Sequence, residues 1–239
     1  SAYAITISQQ LISSDKYSIK CPYSMSPSYI TIHNTANDAS ASSEIAYMVG
    51  NSNSVSYHIA VDDTRAIQAI PYNRNAWHAG DGGSGTGNRK SIGIEICYSK
   101  SGGSRYYAAE KNAADVTAQL LGKFGISINN VVPHQKWSGK YCPHRMLSEG
   151  RWNTFINQVR SFQGGSPSEP DTPSNGGYSV GSYQKNVRTT GALNCRTGRG
   201  SGNSLITTFA SGAVVNVWYI DKASDGSLWG SCSCASRTG

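Results

Sequence analysis

Charge is what this sequence has least of. Only 15% of its 239 residues are Asp, Glu, Lys or Arg, against roughly 25% in an ordinary soluble domain. Such a chain favours turn-rich loops and small β structure over long solvated helices. No apolar run approaches the roughly 20 residues that cross a bilayer, so no membrane insertion is expected. Basic residues are not bunched. The excess of 21 Lys+Arg over 14 Asp+Glu leaves a net charge of +7, without the dense basic clusters of a nucleic-acid binder, so no nucleic-acid partner is expected. The opening stretch SAYAITISQQ lacks a charged n-region and a long apolar h-region, so no signal peptide is expected. The six cysteines, Cys21, Cys97, Cys142, Cys195, Cys232 and Cys234, follow no disulfide framework, which fits synthesis in a reducing cytoplasm.

Glycine and small polar residues fill the space that charge leaves. They are densest in QGGSPSEPDTPSNGG, residues 163–177, with three Pro, four Gly and no large apolar side chain. Such a stretch cannot bury a face, and it reads as a semi-flexible linker. It divides the chain into residues 1–162 and 178–239, both large enough to fold alone. The charge divides with them. Residues 1–162 carry 15 Lys/Arg and 10 Asp/Glu, residues 178–239 carry 6 and 2, and the linker carries only Glu169 and Asp171. Two basic pieces suit a polyanionic surface such as a wall polymer.

In the first piece, strand and helix signals alternate. Tyr29–His33 sets Ile30 and Ile32 on one face, with Thr31 and His33 on the other. Ser91–Cys97 does the same with Ile92, Ile94 and Ile96 against Gly93 and Glu95. Val55–Val61 and Ala66–Ile70 are further short strands. Helical spacing predicts Ser43–Val49, Arg105–Phe124 (stopped by Gly125) and Arg151–Phe162. Strands interleaved with helices indicate an α/β domain. In residues 178–239, short β-prone runs such as Ser204–Phe209 and Ala213–Ile220 are broken by turns, which predicts a small all-β barrel.

Few residues in the first piece are suited to chemistry. His33 ends a strand, and His134 and Cys142 lie in PHQKWSGKYCPHR. Two imidazoles and a thiolate make a catalytic zinc set with one position left for water. Spacing alone leaves open a turn histidine and a buried free cysteine, or a Cys/His hydrolase with Cys142 as nucleophile. Glu95 interrupts an apolar strand. If that strand is central, burial raises its pKa toward what a general base needs near neutrality. Trp77-His78 follows a polar turn and suits stacking on a sugar or peptide.

The ordered segments IHNTAN, SYHIAVDD, IPYNRNAWHAGDG, NRKSIGIEIC and HQKWSGKYCPHR resemble the zinc-dependent N-acetylmuramoyl-L-alanine amidases. That family includes phage endolysins, autolysins and peptidoglycan-recognition proteins. The likeness runs from about Ser28 to Val159. It implies a mixed central β-sheet flanked by helices, zinc as cofactor, and bacterial cell-wall peptidoglycan as partner. It implies His33, His134 and Cys142 as the zinc ligands, with Glu95, Lys140 and Tyr57 as catalytic residues. The choice of Glu95 or Tyr57 as main base stays open. Asn34, Trp77 and His78 are expected to line the substrate groove. Members that only bind peptidoglycan typically lack the cysteine, so Cys142 favours an enzyme over a non-catalytic binding protein. The reaction implied is hydrolysis of the amide between N-acetylmuramic acid and L-alanine. An enzyme of phage-endolysin type is made in the host cytoplasm and reaches the wall through a separate pore; an autolysin would share the chemistry.

The stretch LNCRTGRGSGNSLITTFASGAVVNV is similar to the bacterial SH3-like wall-binding domain. That resemblance covers Tyr178–Gly230 and implies an SH3-like barrel in residues 178–239. No pattern for the family's usual last strand follows the Trp-Gly region, so a truncated barrel or a disordered tail is expected. Cys195 is expected to be a small buried hydrophobe there. Trp218, Tyr219 and Trp229 are candidates for a peptide groove or for the barrel core.

Overall fold

A computed structural model describes residues 4–164, 181–198, 201–222 and 227–232. Most of the predicted linker lies outside these residues. The chain divides into two compact units between Ser166 and Pro167.

The first unit is built on a six-stranded sheet. Its strands are β1 (Ile7–Gln9), β2 (Tyr29–Asn34), β3 (Ile59–Val61), β4 (Ala66–Gln68), β5 (Ser91–Ile96) and β6 (Val131–Pro133), arranged β1-β4-β3-β5-β2-β6. The β3–β4 pair is antiparallel and the other pairs are parallel. This is a mixed sheet, as the family resemblance implies, in the α/β domain that the alternation of strand and helix signals predicts.

The helices are α1 (Tyr17–Lys20), α2 (Ala41–Gly50), α3 (Thr86–Lys90), α4 (Gly103–Phe124), α5 (Gln135–Ser138), α6 (His144–Ser148) and α7 (Trp152–Phe162). Helix α4 packs on β5, β3 and α7, and α2 packs on β3 and β4. Helices α3 and α6 lie against β2, so both central strands, β2 and β5, are covered. Ile30, Ile32, Ile92, Ile94 and Ile96 are fully buried, the usual state of parallel strands with helices on both sides.

Helix α4 stops at Gly125, whose φ of 63° is left-handed and whose N–H donates to the Leu121 carbonyl. A glycine takes that conformation without the cost a Cβ imposes. One polar residue on the buried side of α4 is Glu110, with no exposed surface. Arg151, at the start of α7, reaches it with Nη2 2.5 Å and Nε 3.0 Å from Oε1. The two helices are fastened by that ion pair as well as by apolar packing.

The predicted strand Val55–Val61 is shorter in the structure. Only Ile59–Val61 pairs as strand. Before it, Ser56 donates its N–H to the Trp77 carbonyl, and His58 donates its N–H to the Gly93 carbonyl. The chain is crossing between partners there and forms no ladder. His58 fills the crossing. Its Nδ1 accepts from the Gly93 N–H at 3.0 Å, and its Nε2 lies 3.0 Å from the Arg74 carbonyl.

In the second unit every regular element among the described residues is a strand. These are β7 (Gly181–Arg188), β8 (Leu193–Arg196), β9 (Leu205–Phe209), β10 (Val214–Lys222) and β11 (Leu228–Cys232). They form a β11-β10-β7 sheet and a β8-β9 pair, all antiparallel. Val215, Val217 and Ile220 form a small core with Val187, Phe209 and Cys232 against it. Cys195 is buried, as expected, and it is disulfide-bonded, which the sequence pattern does not predict; Cys21, Cys97 and Cys142 are free. The side chains of Trp218 and Tyr219 and the residues after Cys232, on which the expected truncation falls, lie outside the described residues. Trp229 is half-buried and donates its Nε1–H to Ser227 Oγ. Among the described residues no helix is long and apolar enough to cross a membrane.

Candidate metal centre and its surroundings

The carboxyl ends of parallel strands are where α/β sheets gather functional side chains. Here β2, β5 and β6 end together. His33 is the last residue but one of β2, and its register partner on β5 is Glu95. His134 follows β6 directly, and its N–H donates to the Ile32 carbonyl at 3.2 Å. The His33 and His134 rings stand 4.6 Å apart, centre to centre. The loop after α5 turns at Gly139 (φ 77°) and returns to the sheet, with the Gln135 N–H donating to the Cys142 carbonyl at 3.0 Å. That return sets Cys142 Sγ 3.9 Å from His33 Nδ1.

One ligand atom from each of His33, His134 and Cys142 lies within 4.8 Å of the other two, and all three residues are buried. Eight residues separate His134 from Cys142 in sequence; the loop closes that gap. His134 Nδ1 is buried without a hydrogen-bond partner, an unusual state for a polar atom. An unpaired imidazole nitrogen beside a second imidazole and a thiol fits a metal ion. Burial holds both His33 and His134 below the ordinary histidine range, so each offers a lone pair at neutral pH. Burial pushes the Cys142 thiol up to about 11, against the backbone amides of Asn34 and His144 and the charge of Lys140, which favour the thiolate. A bound cation favours it further.

Glu95 stands at the edge of this cluster, with Oε1 4.0 Å from His33 Nδ1 and Oε2 lacking a partner. Burial pushes its carboxyl up to about 8, and the nearby Glu44 adds to the shift while Lys140 opposes it. Lys140 itself is exposed. Its charge is felt at His33, His134, Glu95 and Cys142. Tyr57 is buried, and its hydroxyl donates to the Glu44 carbonyl at 2.9 Å. Burial, together with Glu44 and Glu95, drives its pKa up, so it keeps its proton.

Two of the three expected groove residues are placed otherwise. His78 is 8% exposed and lies behind His33, with Nδ1 2.9 Å from His33 Nε2 and Nε2 3.2 Å from the Ser91 carbonyl. Both ring nitrogens are spent, so it has none to offer a groove. Asn34 is buried as well. Its Oδ1 accepts from the Arg145 N–H at 3.0 Å, and its Nδ2 donates to the His33 carbonyl at 3.2 Å. It pins the start of α6, just beyond Cys142, to the end of β2. Trp77 is half-buried, and its Nε1–H donates to the Ile19 carbonyl at 3.1 Å while Tyr23 meets its ring edge-on.

Glu44 and Asn88 are the site residues that sequence reasoning passed over. Glu44 lies in an ordinary helical pattern. Asn88 accepts at its Oδ1 from the His78 and Ala79 N–H groups, beside His33 and His134, and such backbone partners leave no mark in a sequence.

Over residues 23–145 the chain matches the family described as N-acetylmuramoyl-L-alanine amidase. It is 63% identical over 150 residues to the N-acetylmuramoyl-L-alanine amidase XlyB of Bacillus subtilis (strain 168), covering 63% of this chain and 47% of that protein. It is 65% identical over 149 residues to the N-acetylmuramoyl-L-alanine amidase CwlA of the same organism, covering 62% and 55%. The chain thus spans about half the length of these curated relatives. Among solved structures it is similar to PlyL, with a TM-score of 0.64 at 61% identity, over 65% of this chain and 97% of that one.

Proposed function

The chain belongs to the N-acetylmuramoyl-L-alanine amidase family, and on that footing we propose that it is a zinc-dependent peptidoglycan hydrolase of phage-endolysin type. Its substrate is the amide between N-acetylmuramic acid and the L-alanine of the stem peptide. One observation carries the reading: His33, His134 and Cys142 converge within 4.8 Å, with His134 Nδ1 unpaired and Glu95 alongside.

Two nitrogens and a sulfur are the donor set of a catalytic zinc site with an open fourth position. When bound there, zinc supplies a water acidified to a pKa of about 7 and a polarised carbonyl. His33, His134 and Cys142 would hold it.

Glu95 is the general base. It sits beside the ligands with an unpartnered oxygen. In its ionised form, which Lys140 and a bound cation both favour over the neutral acid that burial favours, it accepts the proton of the attacking water. It then returns that proton to the departing alanine nitrogen. Tyr57 is not the base, because its own proton is engaged by Glu44; it supports the Glu44–Glu95 side of the site. Lys140, whose charge is felt at Glu95 and at all three candidate ligands, balances the negative charge that builds on the carbonyl oxygen. Trp77 keeps a partly exposed ring and remains a groove wall.

Residues 1–162 are then the catalytic domain, residues 163–177 the linker, and residues 178–239 an SH3-like wall-binding domain. The small apolar core around Val215, Val217 and Ile220 supports that last reading. The site of action is the bacterial wall.

The test is the turbidity of a bacterial wall suspension. The protein clears it, a chelator stops the clearing, and added zinc restores it. Clearing at an unchanged rate in chelator would overturn the zinc chemistry.

A further inference from the structure

Beside the ligands lies a segment that the reaction itself does not use. We infer that His78 and Asn88 are positioning residues that fix which nitrogen each metal-binding imidazole presents. The inference rests on the reading of His33, His134 and Cys142 as a metal site.

The argument starts at a carbonyl. Ser91 O can only accept a hydrogen bond, so His78 Nε2, 3.2 Å away, is the donor. A neutral ring with its hydrogen on Nε2 has its lone pair on Nδ1. His33 Nε2, 2.9 Å from that lone pair, is therefore a donor in turn. The lone pair of His33 is left on Nδ1, the nitrogen that faces Cys142 Sγ. The second imidazole is set in the same way. His134 Nε2 lies 3.0 Å from the Ala79 carbonyl, which only accepts, so the bare nitrogen of His134 is its unpaired Nδ1.

His78 and Ala79 are consecutive. One dipeptide thus holds both rings, His33 by a side chain and His134 by a carbonyl. Asn88 holds the dipeptide. Its Oδ1 accepts from the His78 N–H at 2.9 Å and from the Ala79 N–H at 2.8 Å, and its Nδ2 donates to the Gly82 carbonyl at 3.0 Å. Asp81 fixes Asn88 by accepting its backbone N–H at 3.1 Å. Room for the clamp is built into β5. A Cβ on Gly93 would stand 2.8 Å from His78 Cγ, so only glycine lets the ring lie against the strand.

An imidazole without such a partner samples both tautomers and rotates. One tautomer puts an N–H where the metal must bind. Partners of this kind are worth about 10–100-fold in metal affinity.

Two measurements on the full chain test the inference. Long-range proton–nitrogen NMR correlations of the metal-free wild type should show the hydrogen on Nε2 of His33, His78 and His134. An Nδ1–H form of His33 or His134 would overturn it. Zinc affinity, read by competition with a chromophoric chelator, should fall about 10–100-fold in His78→Phe and in Asn88→Leu. His78→Asn, whose Oδ1 stands near the place of Nδ1, should recover part of the loss. The visible spectrum of the cobalt-loaded protein should change with His78→Phe. Variants that melt earlier without metal yet bind zinc as tightly as wild type would show a merely structural role and overturn the inference. Should His78→Phe fail to fold, the wild-type tautomers and Asn88→Leu still decide. A wild type that binds no zinc would instead remove the metal site itself, whatever the tautomers show.

Discussion

Glu95 and His33 are register partners on adjacent parallel strands, and Glu95 Oε1 stands 4.0 Å from His33 Nδ1. Strand pairing alone brings the candidate base to the candidate ligand. No loop has to close to assemble them, so the pair is as rigid as the centre of the sheet.

That placement makes Glu95→Gln the informative substitution. It keeps the volume and removes the proton acceptor. Wall-clearing activity should fall about 10²–10⁴-fold with zinc still bound. Tyr57→Phe should cost much less, since it removes a hydroxyl already committed to the Glu44 carbonyl. Equal losses in the two variants, each with metal retained, would move the base from Glu95 to Tyr57.

Metal removal should cost stability as well as activity. Under the proposed zinc chemistry, three buried side chains would share one ion, so binding would favour the folded state. At free zinc 100 times the dissociation constant the gain is about 2.7 kcal/mol. Thermal melts with and without chelator should show it, and Cys142→Ser should reduce the difference sharply. A melting temperature that ignores zinc in the wild type would contradict this.

Acid should destabilise the protein through His58. Its ring accepts from the Gly93 N–H on one side and donates to the Arg74 carbonyl on the other, so a second proton has no acceptor. Burial lowers its pKa to about 4, from 6.5 when unfolded. The depressed folded value means that the unfolded chain binds the proton first. Stability is complete above 6.5, and it falls as the pH drops from 6.5 toward 4. By linkage the loss between pH 7 and pH 5 is about 2 kcal/mol. Urea unfolding of chelated protein at the two pH values reads it. His58→Gln should reduce the difference, and an unchanged difference would exclude His58 as its source.

Removing one member of the buried Glu110–Arg151 pair should be costly. Arg151→Met leaves Glu110, which has no exposed surface, without its guanidinium at the α4–α7 contact, and stranding a buried charge in this way costs about 3–5 kcal/mol. The double variant Glu110→Leu with Arg151→Met should sit closer to wild type. Denaturant unfolding of the three proteins checks both statements.

Much of this was legible in the sequence, for physical reasons. The isoleucines of β2 and β5 alternate cleanly, so both strands and the side of Glu95 could be read. The spacing in α4 and the stop at Gly125 were equally plain. The shortened strand before β3 was not, because Tyr57 and His58 look β-prone and only tertiary partners divert them. His78 and Asn34 carry polar side chains in loop-like or strand-end positions, which suggested a groove. Their hydrogen bonds run inward, to His33, Ser91 and Arg145, and no local pattern encodes that direction. The sequence offered the two imidazoles and the thiol as one candidate set among alternatives, and only resemblance singled it out, since the convergence of β2, β6 and the Cys142 loop is a property of the fold.

The most direct test of the central claim is product analysis on purified peptidoglycan, with and without chelator. The account predicts newly released alanine amino termini, no new reducing sugar ends, and no products in chelator. New reducing ends, or amino termini released at the same rate in chelator, would contradict it.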